Sequence, residues 1–228
     1  MDLRTTPPNP QKRLIFQESK NLTEQVAILS TTRVVIHTLY RMIYPFLNVF
    51  ARGLGVDLAQ LSIALTVRSM MGFFGPFLAT IADRYGRKIS MLLGLGLIII
   101  ASLLIWVFPT YPVFFAGLMI AMLGNLMFIP AMQAFIGDRV PYQKRGRVLG
   151  ITELSWAAAF IAGIPFVGWL MARSDPDKAW LVPFPMIAVL GLACLVLIAW
   201  RVPNNRSKIP VQGNGFATIR KMLGITSV

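Results

Sequence analysis

Residues 83–88, Asp83-Arg84-Tyr85-Gly86-Arg87-Lys88, are a short charged stretch set between two long apolar runs, 61–82 and 89–108. A helix needs roughly 20 apolar residues to cross the hydrocarbon core of a bilayer. Two such runs joined by so few residues must form an antiparallel helical hairpin. Three cations, Arg84, Arg87 and Lys88, against the single carboxylate of Asp83 assign that turn to the cytoplasmic face, where Lys and Arg accumulate. Gly86 permits the sharp reversal that a bulkier residue resists.

The same length criterion gives six spans along the chain, 32–50, 61–82, 89–108, 113–136, 149–171 and 181–200. The runs are continuous and lack the alternation of a lipid-facing barrel strand, so the expected fold class is all-α, a polytopic membrane protein of six transmembrane helices. Composition agrees: 56% of residues are hydrophobic and 14% charged, against about 25% charged in a soluble domain. No short apolar core with a small-residue cleavage site precedes the first span, which is itself the expected insertion signal.

Lys and Arg fall on alternate sides of these spans. One side collects Arg33, the 83–88 turn, Arg139, Lys144, Arg145 and Arg147, and Arg201 onward; the other holds only Arg52, Arg173 and Lys178. This is the positive-inside pattern, and it puts both termini in the cytoplasm. The expected organisation is a cytoplasmic segment, 1–31, a membrane bundle, 32–200, and a basic tail, 201–228, resembling the start of a central linker. The net charge of +13 resides at helix ends rather than on one face, so it does not indicate nucleic-acid binding. The Asn21-Leu22-Thr23 sequon lies on the side that is not glycosylated.

Charges within the apolar runs are costly unless turned toward protein or water. At about 100° per residue, Arg33, His37, Arg41, Tyr44, Asn48 and Arg52 share one face of the first span. Arg33 and Arg52 read as interfacial anchors and Tyr44 as packing. His37, Arg41 and Asn48, at mid-membrane depth, read as substrate-pathway residues, joined by Arg68 in the second span and Asn125 in the fourth. Glu153 lies one turn into the fifth span, and it and His37 are the candidates for proton coupling. Two buried arginines, Arg41 and Arg68, against one buried carboxylate suggest either an anionic solute or a self-neutralised Arg-Glu network. Spans three and six carry no ionisable residue and are expected to face lipid on most of their surface. On the second span Arg68, Gly72, Gly75, Ala79 and Asp83 share a face whose small residues would admit another helix closely.

The stretch from Ala79 to Lys88 resembles the signature loop of the major facilitator superfamily, written G-x-x-x-D-R-x-G-R-R, with Ala79 where the family usually has Gly. Between spans four and five, Gly137-Asp138-Arg139-Val140-Pro141-Tyr142-Gln143-Lys144-Arg145-Gly146-Arg147 is similar to the basic R-G-R loop found at that place in many members. The fifth span offers Gly163-Ile164-Pro165-Phe166-Val167-Gly168, a degenerate relative of the family's antiporter motif; its plain reading is a proline kink with Gly163 and Gly168 permitting close packing. The fourth span lacks the Arg that many members carry.

The resemblance implies a secondary transporter of a small solute in a bacterial inner or plasma membrane, with Asp83, Arg84, Gly86, Arg87 and Lys88 as a gating loop. It also implies a second six-span half, supplied by a partner chain, by self-association or by the remainder of a longer gene, because the family rocks two bundles about a central site. The alternative is a membrane binding or scaffold protein that keeps the framework without transport. No phosphate-cradling G-x-x-x-x-G-K-[ST] loop is present, and one His with one Cys, Cys194, supplies neither catalytic nor metal-binding clusters. No enzyme activity, cofactor or metal is expected.

Overall fold

The computed structural model describes residues 10–75, 77–78 and 86–203, with side chains from 21 onward. Ala79, Asp83 and Arg84 of the signature loop therefore lie outside the described residues. Helices α1 (Pro10–Arg41), α2 (Leu47–Leu54) and α3 (Leu58–Met70) come first. A 3-10 turn, Met71–Phe74, continues α3. Then follow α4 (Arg87–Val107), α5 (Tyr111–Arg139), α6 (Tyr142–Ala158), α7 (Ile164–Ala172) and α8 (Pro183–Arg201). A π-helical turn, Ala159–Gly163, joins α6 to α7. No strand occurs among the described residues.

The six-span expectation is met in part. Among the described residues four helical stretches are long and apolar enough to cross a membrane, Arg87–Val107, Tyr111–Arg139, Tyr142–Ala172 and Ala179–Arg201, and a fifth counts only if Leu47–Leu54 and Leu58–Phe74, bent by 109°, are taken together. The expected first span, 32–50, is not one helix. Helix α1 stops at Arg41, and residues 42–46 are turn before α2 begins. Pro45 explains the break, because it has no N–H to donate and disfavours helical geometry in the residue before it. Helical packing also begins ahead of Thr32, with Leu29 fully buried.

Local chemistry sets the remaining boundaries. Gly55, at φ 65°, ends α2 in the left-handed conformation, and the Asp57 carboxylate accepts from the Gln60 N–H at 2.6 Å to cap α3. Gly86 sits at φ 96° just before α4, a conformation open to glycine and closed to most L side chains. Pro165 follows the π-helical turn, where its missing N–H is accommodated by the widened backbone. Gly163 faces Thr38 so closely that a Cβ there would lie 2.1 Å from its Oγ1, and a Cβ on Gly168 would lie 2.8 Å from Phe46. Both glycines are thus packing residues, Gly163 of the π-helical turn against α1 and Gly168 of α7 against the turn that follows α1.

Helix α4 packs against both α5 and α8, and α1 against α8 and α6. The expectation that the third span faces lipid on most of its surface is corrected: half of its apolar window is buried. Gly94 and Gly124 are the cause, since a Cβ on either would come within 2.6 Å of the other's carbonyl oxygen, and their absence lets the two backbones touch.

The two ends of the bundle are held differently. At one end Phe50, Phe114, Trp180 and Phe184 form a fully buried cluster with ring centroids 5.9–6.4 Å apart. At the other, polar side chains tie helix ends together. Lys88 donates to the Ala199 carbonyl at 2.7 Å, Gln25 donates to the Arg201 carbonyl at 3.2 Å, and Arg139 donates to Gln25 at 3.2 Å. Arg87 and Asp138 approach to 3.7 Å, which joins the end of the signature loop to the second basic loop.

Candidate functional site

Helices α1 and α6 run side by side in parallel, so residues ascending α1 meet residues ascending the α6–α7 stretch. Arg33 faces Glu153 and Thr152, Arg41 faces Trp156 and Phe160, and Phe46 faces Gly168. Arg33, His37 and Arg41 are spaced one turn apart on α1. Glu153, Trp156 and Phe160 take the matching positions on the opposite helix.

Arg33 is buried, with its side chain 6% exposed. Its Nη1 donates to Glu153 Oε1 at 2.7 Å and its Nη2 to Oε2 at 2.8 Å. Nη1 also donates to the Thr152 carbonyl at 3.1 Å, and Nε donates to His37 Nε2 at 3.2 Å. The reading of Arg33 as an interfacial anchor is therefore corrected. Its planar fork matches a carboxylate at two points, and a buried guanidinium requires such partners.

Arg68 is 1% exposed. It donates to the Tyr40 carbonyl at 3.3 Å and to the Tyr44 hydroxyl at 3.1 Å, and its Cζ lies 4.0 Å from the Tyr40 ring centroid. Tyr44 is thus more than packing. Arg41 makes neither an ion pair nor a hydrogen bond through its buried Nε among the described residues. Its Cζ lies 5.1 Å from the ring centroids of both Trp156 and Phe160.

The pairing of two arginines, Arg41 and Arg68, with Glu153 is accordingly not what the structure shows; Arg33 holds that carboxylate. The stripe expected along the first span ends at Arg41, because the turn at Pro45 places Asn48 and Arg52 on a separate helix, where both are exposed. Asn125 is half-buried on α5. Gly72 has nothing within 4 Å of a Cβ built on it, and Gly75 has only Leu126 at 3.6 Å, so this small-residue face is open. A separate apolar groove of about 340 Å³ lies between α1, α7 and α8, lined by Val34, Thr38, Gly163, Phe166, Met186 and Leu190; the Thr38 hydroxyl donates to the Val34 carbonyl and offers it no free donor.

Trp156, Phe160 and Tyr40 are the members of this site that sequence reasoning missed. The i, i+3, i+7 spacing of Glu153, Trp156 and Phe160 was the available signal, since it puts both rings on the carboxylate's face.

The described fold resembles two solved transporters at identities that bear on fold alone. A xylose transporter from E. coli, XylE, in an inward-open conformation, aligns at a TM-score of 0.58 and 18% identity over 93% of this chain and 53% of its own. A bacterial homologue of the human lysosomal transporter Spinster, inward-facing and unoccupied, gives 0.56 and 15% over 90% of this chain and 47% of its own. Among curated relatives, the uncharacterised MFS-type transporter YwfA of Bacillus subtilis is 34% identical over 57% of this chain and 32% of its own length. The multi-drug resistance efflux pump PmrA of Streptococcus pneumoniae is 31% identical over 58% of this chain and 34% of its own. The quinolone resistance protein NorA of Staphylococcus aureus is 24% identical over 77% of this chain and 44% of its own. The chain spans a third to about half the length of these relatives. The sequence profile of the Major Facilitator Superfamily matches residues 29–226, and the chain belongs to that family, as a multi-pass membrane protein.

Proposed function

We propose that this chain is one bundle of a secondary transporter that moves a small anionic solute across a bacterial cell membrane in exchange or in company with protons. The observation that carries the reading is the Arg33–Glu153 pair, with His37 on the same guanidinium, set where α1 packs against α6. Such a group is costly in a membrane helix unless it serves a partner or a pathway. Protonation of Glu153 removes the charge that Arg33 neutralises. The guanidinium then becomes available to an anion, which couples proton and solute through one side chain. His37, hydrogen-bonded to Arg33 through Nε2, passes the proton in this reading.

Helices α1 and α2 form the first of six spans in this reading, and the stretch from Leu58 forms the start of the second. A second six-span bundle completes the pathway. Support comes from the half-length match to the relatives and from the open faces of Gly72, Trp156 and Phe160. The signature loop, with Asp83 and Arg84 beside Gly86, Arg87 and Lys88, gates the cytoplasmic side, and both termini are cytoplasmic.

The test is uptake of radiolabelled organic anions into proteoliposomes under an imposed pH gradient. The chain alone should show no uptake above empty vesicles, and uptake should arise when a second bundle is supplied. In the competent assembly Glu153→Gln should abolish the response to the gradient while solute exchange persists. Robust transport by a verified monomer would refute the need for a second bundle, and an unchanged gradient response in Glu153→Gln would refute the coupling role.

A further inference from the structure

We infer that Arg41, Trp156 and Phe160 form an anchoring subsite for a flat aromatic carboxylate, with the guanidinium taking the carboxylate and the two rings taking the body. The inference rests on the reading of the chain as half of a solute transporter and narrows it to a substrate class.

The charge distribution in the apolar section leads there. Arg33, Arg41 and Arg68 outnumber the one carboxylate of this section, Glu153, which is bound at both oxygens by Arg33. Arg68 is 1% exposed, which closes it to a solute; its Nη1 and Nη2 donate to the Tyr40 carbonyl and the Tyr44 hydroxyl, while its Nε has no partner among the described residues. Arg41 remains. Its charge has no counter-ion among the described residues, its buried Nε has no hydrogen-bond partner among them, and two neighbouring rings meet it from one side. Ring quadrupoles attract a guanidinium without neutralising it, so the site keeps a net positive charge at a depth where charge is costly. A bound anion cancels that cost.

The rings add a shape requirement. Trp156 is 44% exposed and Phe160 40% exposed, their centroids are 5.2 Å apart and their planes tilt by 59°. A flat apolar body can stack on such a surface, whereas a small inorganic anion would leave it bare. His37 lies one turn before Arg41 on the same helix. Because its Nε2 accepts from Arg33, its ring hydrogen is on Nδ1. Organic cations are opposed by the uncompensated charge of Arg41. Neutral aromatic molecules would meet the rings and leave the guanidinium unserved.

The test is isothermal titration calorimetry of the full chain in detergent, with naphthalene-2-carboxylate and naphthalene-2-carboxamide as matched probes. The carboxylate should bind at least tenfold more tightly. Arg41→Gln should remove that preference, and Trp156→Ala should weaken both probes. Arg173→Gln, which removes a cation set 4.1 Å over the ring of Trp169 elsewhere in the bundle, should change neither affinity. Helix content by circular dichroism and monodisperse elution establish that each variant is folded. Equal binding of the two probes, a preference retained in Arg41→Gln, or no carboxylate binding by the folded chain would each overturn the subsite. Binding is read without a gradient or a second bundle. Preserved Arg41-dependent binding with failed uptake would therefore sink only the transport reading, and uptake without it would sink only the subsite.

Discussion

The guanidinium of Arg33 engages Glu153 at both oxygens, at 2.7 and 2.8 Å, and so fastens α1 to α6 through charges 120 residues apart in sequence. The two ends of the pair are unequal, with side chains 6% and 55% exposed. Removing the carboxylate strands a buried guanidinium, whereas removing the guanidinium leaves a carboxylate that reaches solvent.

Glu153→Ala should therefore destabilise the bundle more than Arg33→Ala does. A double-mutant cycle in Arg33→Ala and Glu153→Ala should give a coupling of about 1–3 kcal/mol, between the values for exposed and fully buried pairs. Chemical unfolding in mixed micelles, followed by tryptophan fluorescence, measures it. A coupling near zero would mean that the two charges do not depend on each other.

A second expectation concerns glycines that look alike in sequence. Gly94→Ala puts a methyl 2.6 Å from the Gly124 carbonyl oxygen and 2.9 Å from the Phe128 nitrogen, atoms that cannot step aside without separating α4 from α5. It should cost about 1–3 kcal/mol, as overpacking does. Gly72→Ala meets nothing within 4 Å and should leave the melting temperature within a degree or two of the parent. Equal shifts for the two variants in a thermal melt would contradict the packing described.

These contrasts mark what was legible in the sequence. Run length and hydropathy located most of the helices, because the bilayer fixes how long an apolar run must be. Gly86, Gly163, Pro165 and Gly168 were readable as turn, kink and packing residues because backbone chemistry restricts where they fit. Partner choice was not readable. Arg33, Arg41 and Arg68 are the same residue type on apolar helices, and only the parallel register of α1 and α6 decides that Arg33 meets Glu153 while Arg41 meets two rings. The break at Pro45 was present in the sequence, but its effect on Asn48 and Arg52 depends on how far the helix turns away. Gln25 lay in a segment that the Lys and Arg bias assigned to the cytoplasm, so its burial had no signal.

Gln25 supplies a third expectation. It is 6% exposed and bridges the Arg201 carbonyl to Arg139, linking α1, α8 and α5. Gln25→Ala should cost about 1–3 kcal/mol, the penalty for stranding buried polar partners. Glu24→Ala, which breaks an ion pair to Arg201 whose side chains are both about half exposed, should cost less than about 1 kcal/mol. Guanidinium-induced unfolding of the two single variants separates them; a larger loss for Glu24→Ala would invert the account of this end of the bundle.

The orientation of the whole bundle is open to direct test. Arg139, Lys144, Arg145 and Arg147 crowd the turn between α5 and α6, while the turn after α7 holds Arg173 and Lys178 with Asp175 and Asp177. Cations near helix ends resist translocation and acidic residues contribute little, so the first turn should be cytoplasmic and the second external. Cys194 is buried, and replacing it with Ala gives a background without thiols. In intact cells a membrane-impermeant maleimide should then label Asp175→Cys, which lies in an exposed loop. It should spare Tyr142→Cys, which is 81% exposed on the opposite side, until the membrane is permeabilised. The high exposure of both positions removes burial as an explanation for any difference. Labelling of Tyr142→Cys from outside would reverse the assigned orientation, and with it the cytoplasmic placement of the signature loop.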